Sequence, residues 1–301
     1  MTLGIDPKVD YAFKWLFGNP KNTPILIHLL HAILNPAPEE QIAEIQILNP
    51  FNDKMALDEK LSILDIKARD QLGRQFNVEM QMLATPALKL RILYYWAKLY
   101  TEPLQAGQDY GLLKPTTSIC FVDEVLFPGV LEHHLWFRPI DPIQGVALTD
   151  HLSIHFFELP KFQRPLEDLT TPLEAWLYFL RYADGLNPES LPESLDTPEI
   201  RQAMEVLMML TQVDIQKEIY EGRIKARRDE RMRLIDALAE GRAKGLAEGR
   251  AEGRAEGVLI GRIEFAQKLL RREVTQRAVL EAMPLEALEA LAVQLERELL
   301  G

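Results

Sequence analysis

The sequence predicts an α/β protein, a mixed sheet flanked by helices with an α-helical C-terminal tail. Two observations carry this. Short β-forming stretches (residues 42–48, 61–67, 76–82, 116–123 and 152–159) are interleaved with segments of helical period through the first half. From Pro172 onward the strand pattern stops and only helical runs follow.

Taken in order, residues 10–16 and 25–34 read as helices, the second stopped by Asn35-Pro36. Residues 42–48 form a strand, followed by the loop Asn49-Pro50-Phe51-Asn52-Asp53. Residues 61–67 and 76–82 alternate as strands do, and Pro86 opens a helix that reaches Thr101 before Pro103. Residues 116–123 and 152–159 are strongly apolar strands. Helices follow at 172–183 and, after a Pro/Ser/Glu-rich linker, from 198 through 220 toward Ala239. The expected division is an α/β core over 1–165, a helical extension over 166–230, a repeat segment over 231–262 and a small helical segment over 263–301.

Composition sets outer limits. The 301 residues are 47% hydrophobic and 26% charged, ordinary for a globular protein. No run of about 18 uncharged apolar residues exists, so no membrane partner is expected. The early charges Asp6, Lys8, Asp10, Lys14 and Lys21 argue against a secretory leader. Cys120, the sole cysteine, lies in an apolar strand and reads as a buried inert thiol. The cytoplasm is the expected compartment. The net charge of −11 is unevenly spread: residues 1–110 hold 11 basic and 13 acidic groups, 111–230 hold 11 and 20, and 231–301 hold 12 and 12. The acid excess therefore lies outside the first third. It neither supports nor excludes a nucleic-acid partner, but it requires any basic strip to be local.

The tail carries a repeat. Gly241, Gly245, Gly249, Gly253, Gly257 and Gly261 recur every four residues, with Glu248, Glu252, Glu256 and Arg250, Arg254 in register. In one helix this places like charges at i,i+4, and each glycine costs about 0.8–1 kcal/mol relative to alanine. Two readings stand: a helix that forms a homo-oligomer, its glycine file allowing close backbone approach, or a flexible linker.

The chemistry concentrates in residues 61–82. Pairing 61–67 with 76–82 about a turn near Leu72 and Gly73 opposes Asp65 to Glu79, Ile63 to Gln81 and Lys67 to Asn77 on one face. The other face pairs Ile66 with Val78 and Leu64 with Met80, all apolar. Opposed β-carbons stand about 4.5–5.5 Å apart, so two carboxylates there repel unless a cation sits between them. A divalent metal with oxygen ligands does this. The competing reading, a solvated edge hairpin, is weakened because Asp65 and Glu79 both sit between apolar neighbours.

These residues resemble a known family. Asp10-Tyr11-Ala12-Phe13-Lys14-Trp15-Leu16-Phe17, Leu64-Asp65-Ile66-Lys67-Ala68, Asn77-Val78-Glu79-Met80-Gln81 and Leu93-Tyr94-Tyr95-Trp96-Ala97 are similar to segments of the recombination-promoting nuclease/putative transposase (Rpn) family of PD-(D/E)XK nucleases. Gly107-Gln108-Asp109-Tyr110 and His155-Phe156-Phe157-Glu158-Leu159 extend the likeness. The resemblance implies a restriction-endonuclease-like fold and Mg²⁺-dependent hydrolysis of DNA phosphodiesters, associated with recombination or mobile elements. By position Asp65 and Glu79 would be metal ligands. Gln81 stands where the superfamily usually has lysine; it can orient a water but supplies no charge, and Lys67 on the same face is the candidate for that charge. Lys14 either holds a phosphate or is a solvated lysine. Asp10, one turn earlier, either pairs with Lys14, the favoured reading, or adds a metal-water contact. Arg91, Tyr95 and Lys98 share a helix face and either track DNA or belong to an ordinary amphipathic helix, with Leu88, Ile92 and Leu99 facing the core. The replaced lysine leaves a second function class open: a weakened DNA-binding or assembly protein that keeps the nuclease fold. His133, His134, His151 and His155 lack the spacing of a zinc site.

Overall fold

The computed structural model describes residues 2–49, 66–212 and 214–300. The chain forms two compact units, Met1–Arg227 and Arg228–Gly301. The first is built on a six-stranded sheet of order β1-β2-β3-β4-β6-β5. Its strands are β1 (Ile45–Ile47), β2 (Ile66–Asp70), β3 (Gln75–Gln81), β4 (Thr116–Val122), β5 (His134–Phe137) and β6 (Leu152–Glu158). β3, β4 and β6 run parallel, while β1, β2 and β5 are antiparallel to their neighbours. The expected mixed sheet flanked by helices is therefore present.

Helices α1 (Asp10–Phe17), α2 (Thr23–Leu34), α4 (Pro172–Tyr182) and α5 (Pro198–Gln212) share one large core with the sheet. Their apolar stripes meet Ile66, Ala68, Phe76, Val78, Met80, Ile119, Phe121 and Phe157. Start signals are explicit in α4: Pro172 occupies the first turn, and Thr171 and Glu174 close a capping box with bonds of 3.2 and 3.0 Å. Helix α3 (Leu88–Thr101) connects β3 to β4 and packs on the opposite face, where Leu88 and Ile92 join Cys120, Val122, Ile154 and Phe156. Leu88, Ile92 and Leu99 are all buried, as their spacing requires.

The β2–β3 hairpin has the register the alternation demands. Ile66 opposes Val78, Lys67 opposes Asn77, Ala68 opposes Phe76 and Arg69 opposes Gln75. Its turn is held by Asp70, whose carboxylate accepts the backbone N–H of Leu72 at 3.0 Å and of Arg74 at 2.8 Å, and pairs with the Arg74 guanidinium at 2.5 Å. Gly73 takes φ +81°, a backbone open to glycine at little steric cost. The part of the expected strand from Leu61 to Asp65 lies outside the described residues.

Strand β5 is an addition to the sequence reading. The short run His134-Leu135-Trp136-Phe137 closes the sheet edge through aromatic stacking: the rings of His134 and Phe157 are 4.2 Å apart, and those of Trp136 and His155 5.3 Å. His155 bridges His134 and the Ser153 hydroxyl, each at 2.9 Å. Burial, reinforced by neighbouring positive charge, pushes His155 down to about 3 and His134 to about 4, so both are neutral near pH 7. Both ring nitrogens of His155 are thereby committed to structure.

The loop before β5 is fastened by a buried ion pair. Glu158 accepts the backbone N–H groups of Leu126 and Phe127, and Lys161 Nζ donates to Glu158 at 2.5 Å and to the carbonyls of Phe127 and Val130.

In the second unit, the later part of α6 (Asp214–Leu269) packs with α7 (Arg277–Glu281) and α8 (Leu285–Leu300). A small core of Ile260, Ile263, Ala266, Leu280, Leu288 and Leu295 holds this cap. The glycine repeat lies within helix α6. A β-carbon at Gly245, Gly249 or Gly253 would meet nothing within 4 Å.

Because the Glu158–Lys161 pair is buried, removing one partner strands the other. Lys161→Met should destabilise the first unit by about 3–5 kcal/mol in chemical denaturation, and adding Glu158→Gln should recover part of the loss. Equal stability of Lys161→Met and wild type would refute the assignment.

Candidate active site

Strand β3 places Gln75, Asn77, Glu79 and Gln81 on one face and Phe76, Val78 and Met80 on the other. The apolar set enters the large core. The polar set is also buried, beneath α3 rather than in water: Glu79 is 0% exposed and Asn77 1%. A buried carboxylate is costly unless donors surround it. Here the Asn77 Nδ2 donates to Glu79 Oε1 at 2.8 Å, and the Gln81 Nε2 donates to Oε2 at 3.0 Å. The Gln81 carbonyl in turn accepts a charge-assisted bond from Arg91 Nη2 on α3. One continuous network thus runs Asn77–Glu79–Gln81–Arg91.

The same face carries buried oxygens with no hydrogen-bond partner among the described residues. These are Gln75 Oε1, Asn77 Oδ1 and Ser118 Oγ, Ser118 lying opposite Asn77 on β4. The orientation of both amides is determined, since Gln75 Nε2 donates to the Leu99 carbonyl at 3.1 Å and Asn77 Nδ2 to Glu79. A buried carboxylate with buried carbonyl and hydroxyl oxygens on the same face is a donor set of the kind a hard divalent cation takes.

The other predicted residues are placed as follows. Lys67 opposes Asn77 and shares the Glu79 face, half-buried. Asp65, the residue before β2, lies outside the described residues. Helix α1 approaches this end of β2 closely: a β-carbon at Gly18 would stand 2.8 Å from the Lys14 carbonyl and 3.5 Å from Ile66 Cγ1. Lys14 is thereby on the helix that abuts the start of β2. Asp10 forms its ion pair with Arg223, at 3.5 Å, where its spacing had suggested Lys14. Of the α3 residues, Arg91 is drawn into the site, Tyr95 is half-buried beside Tyr94, and Lys98 is exposed. The sequence reading gave Arg91 to a DNA-tracking helix face and Asn77 to the polar face opposite Lys67; their bonds into the Glu79 network, and the part of Ser118, were not read. The four polar residues at period two on β3 were a usable signal for Asn77; nothing in the spacing marks Ser118.

A family model described as PD-(D/E)XK nuclease family transposase matches residues 7–237, which includes every strand of the sheet and the whole network around Glu79. No curated protein and no solved structure matches the chain. With the match extending over most of its length, the chain belongs to the PD-(D/E)XK nuclease family of transposases.

Proposed function

We propose that the protein is a divalent-cation-dependent DNA endonuclease, acting in recombination or on mobile elements. The observation that supports this most is the buried Glu79 carboxylate, held by two side-chain amides beneath a helix-borne arginine. A solvated structural acid needs no such apparatus.

Glu79, with Asp65 by its position, would hold Mg²⁺, which when bound acidifies a water and neutralises phosphate charge. The protein's own side chains do the rest. Asn77 and Gln81 fix the carboxylate plane. Gln81 cannot exchange a proton; with its nitrogen on Glu79 and its oxygen on Arg91, it acts as a rigid spacer. Arg91 supplies positive charge beside the position where the superfamily usually has lysine, in a desolvated setting that strengthens it. Lys67, on the same face, is the second cation available to a phosphate. Lys14, Tyr95 and Lys98 remain the proposed backbone contacts of the DNA.

Plasmid nicking in Mg²⁺ tests the reading. Glu79→Gln should lower the rate at least about a hundredfold, as for loss of a preorganised electrostatic group. Wild-type protein without metal-dependent nicking would favour a DNA-binding or assembly protein that keeps the fold. Arg91→Gln should cost about 10–100-fold, the range for a partner that orients metal ligands, with only partial recovery in Arg91→Lys because lysine lacks the planar fork. An unimpaired Arg91→Gln enzyme would remove arginine from the mechanism.

The exposed glycine file of α6 supports a homo-oligomer in which bare helix backbones approach each other. Replacing Gly245, Gly249 and Gly253 with glutamine should raise helix content, since each glycine costs about 0.8–1 kcal/mol relative to alanine. It should nevertheless reduce the assembled mass in sedimentation. Unchanged mass would sink this interface.

A further inference from the structure

Helix α3 separates two different surfaces. Arg91 points to the network of Glu79, whereas Lys89 and Leu93 line a groove of about 350 Å³ against the β5–β6 edge. The groove is walled by Phe127, Phe137 and Phe156, with ring centroids 5.5–6.0 Å apart. Phe137 is 41% exposed and Leu93 46%. Two cationic residues line it: Lys89, whose Nζ lies 4.1 Å from the Phe127 ring centre, and Arg138. Neither makes an ion pair with the described acidic residues, although the chain carries a net charge of −11.

We infer that this groove binds an unpaired nucleobase of a nucleic-acid strand, with Lys89 and Arg138 on the flanking phosphates. The inference rests on the nuclease reading for its substrate class. An apolar peptide would satisfy the aromatic walls and leave two exposed cations without an anion, whereas a nucleotide brings a flat π surface and an anion together. A paired base is sealed within its stack, so the occupant is single-stranded or extruded.

The test uses the full chain in EDTA, with fluorescein-labelled oligothymidylate and an abasic oligomer of equal phosphate number, read by anisotropy. Wild-type protein should bind the base-bearing strand more tightly. Phe137→Ala should lose about five- to a hundredfold on that strand and little on the abasic one. Phe137→Tyr should restore the difference. Leu93→Glu, a surface change, should abolish it independently by placing an acid at the rim. Arg138→Gln should weaken both oligomers alike and reduce the salt dependence by about one ion.

Equal binding of the two oligomers by wild-type protein would overturn the inference. So would competition by free thymidine monophosphate as strong as by the strand, or a drop in sedimenting mass in Phe137→Ala that marks a protein interface. Plasmid nicking measured in parallel separates the two readings. Nicking without base preference leaves the nuclease and removes the groove; base preference lost in Phe137→Ala, without nicking, does the reverse.

Discussion

The constraint on which this structure depends is the burial of one carboxylate, Glu79, in the middle of a sheet. Strand β3 is buried on both faces, so every residue along it needs partners from within the protein. On the core side, Val78 and Met80 meet that need by packing. On the α3 side, a charge must be compensated where water is excluded, and no single contact suffices. The solution is serial: two amides saturate part of the carboxylate, and the second amide passes its exposed dipole to a guanidinium. Helix α3 has to be amphipathic in a particular sense for this. Leu88 and Ile92 seal the apolar contact, while Arg91 reaches past them to the strand.

Much of this was legible in the residues because a strand has period two. The pairing of Ile66 with Val78 and Lys67 with Asn77 follows from segregating apolar from polar side chains about the Asp70–Arg74 turn, and a one-residue slip would place Lys67 in the core. The partner of Arg91 was not legible in the same way. Helical spacing says which residues share a face with Arg91, but what that face meets depends on how α3 lies across β3 and β4. Strand β5 escaped notice for a different reason. Four residues offer too little alternation, and its stability comes from rings on β6 that the chain reaches only after the intervening Ile140–Ala147 bridge.

The tail shows propensity and pattern in conflict. Six glycines argue against a helix, yet α6 is continuous through them. The reason lies in the four-residue period: Ala, Glu, Arg and Leu occupy the remaining positions, and all of these favour helix. The resulting helix has little intrinsic stability to spare, and residues 229–257 are exposed all around. The proposed self-association through α6 would use the space that this file of small residues leaves open.

Helix α3 also explains why a catalytic face and an aromatic groove belong together. Residues two apart on a helix point to nearly opposite sides, so Lys89 and Arg91 cannot serve the same surface. The chain uses this separation: one cation bonds into the buried Glu79 network, and the other is held over the half-buried Phe127. Because both hang from one rigid element, any displacement of α3 that loosens Arg91 from Gln81 also moves Lys89 and Leu93 at the groove. Binding in the proposed groove would therefore be coupled to the ordering of the Glu79 network through a single body. An occupant packed against Leu93 would limit rotations of α3 that separate Arg91 from Gln81.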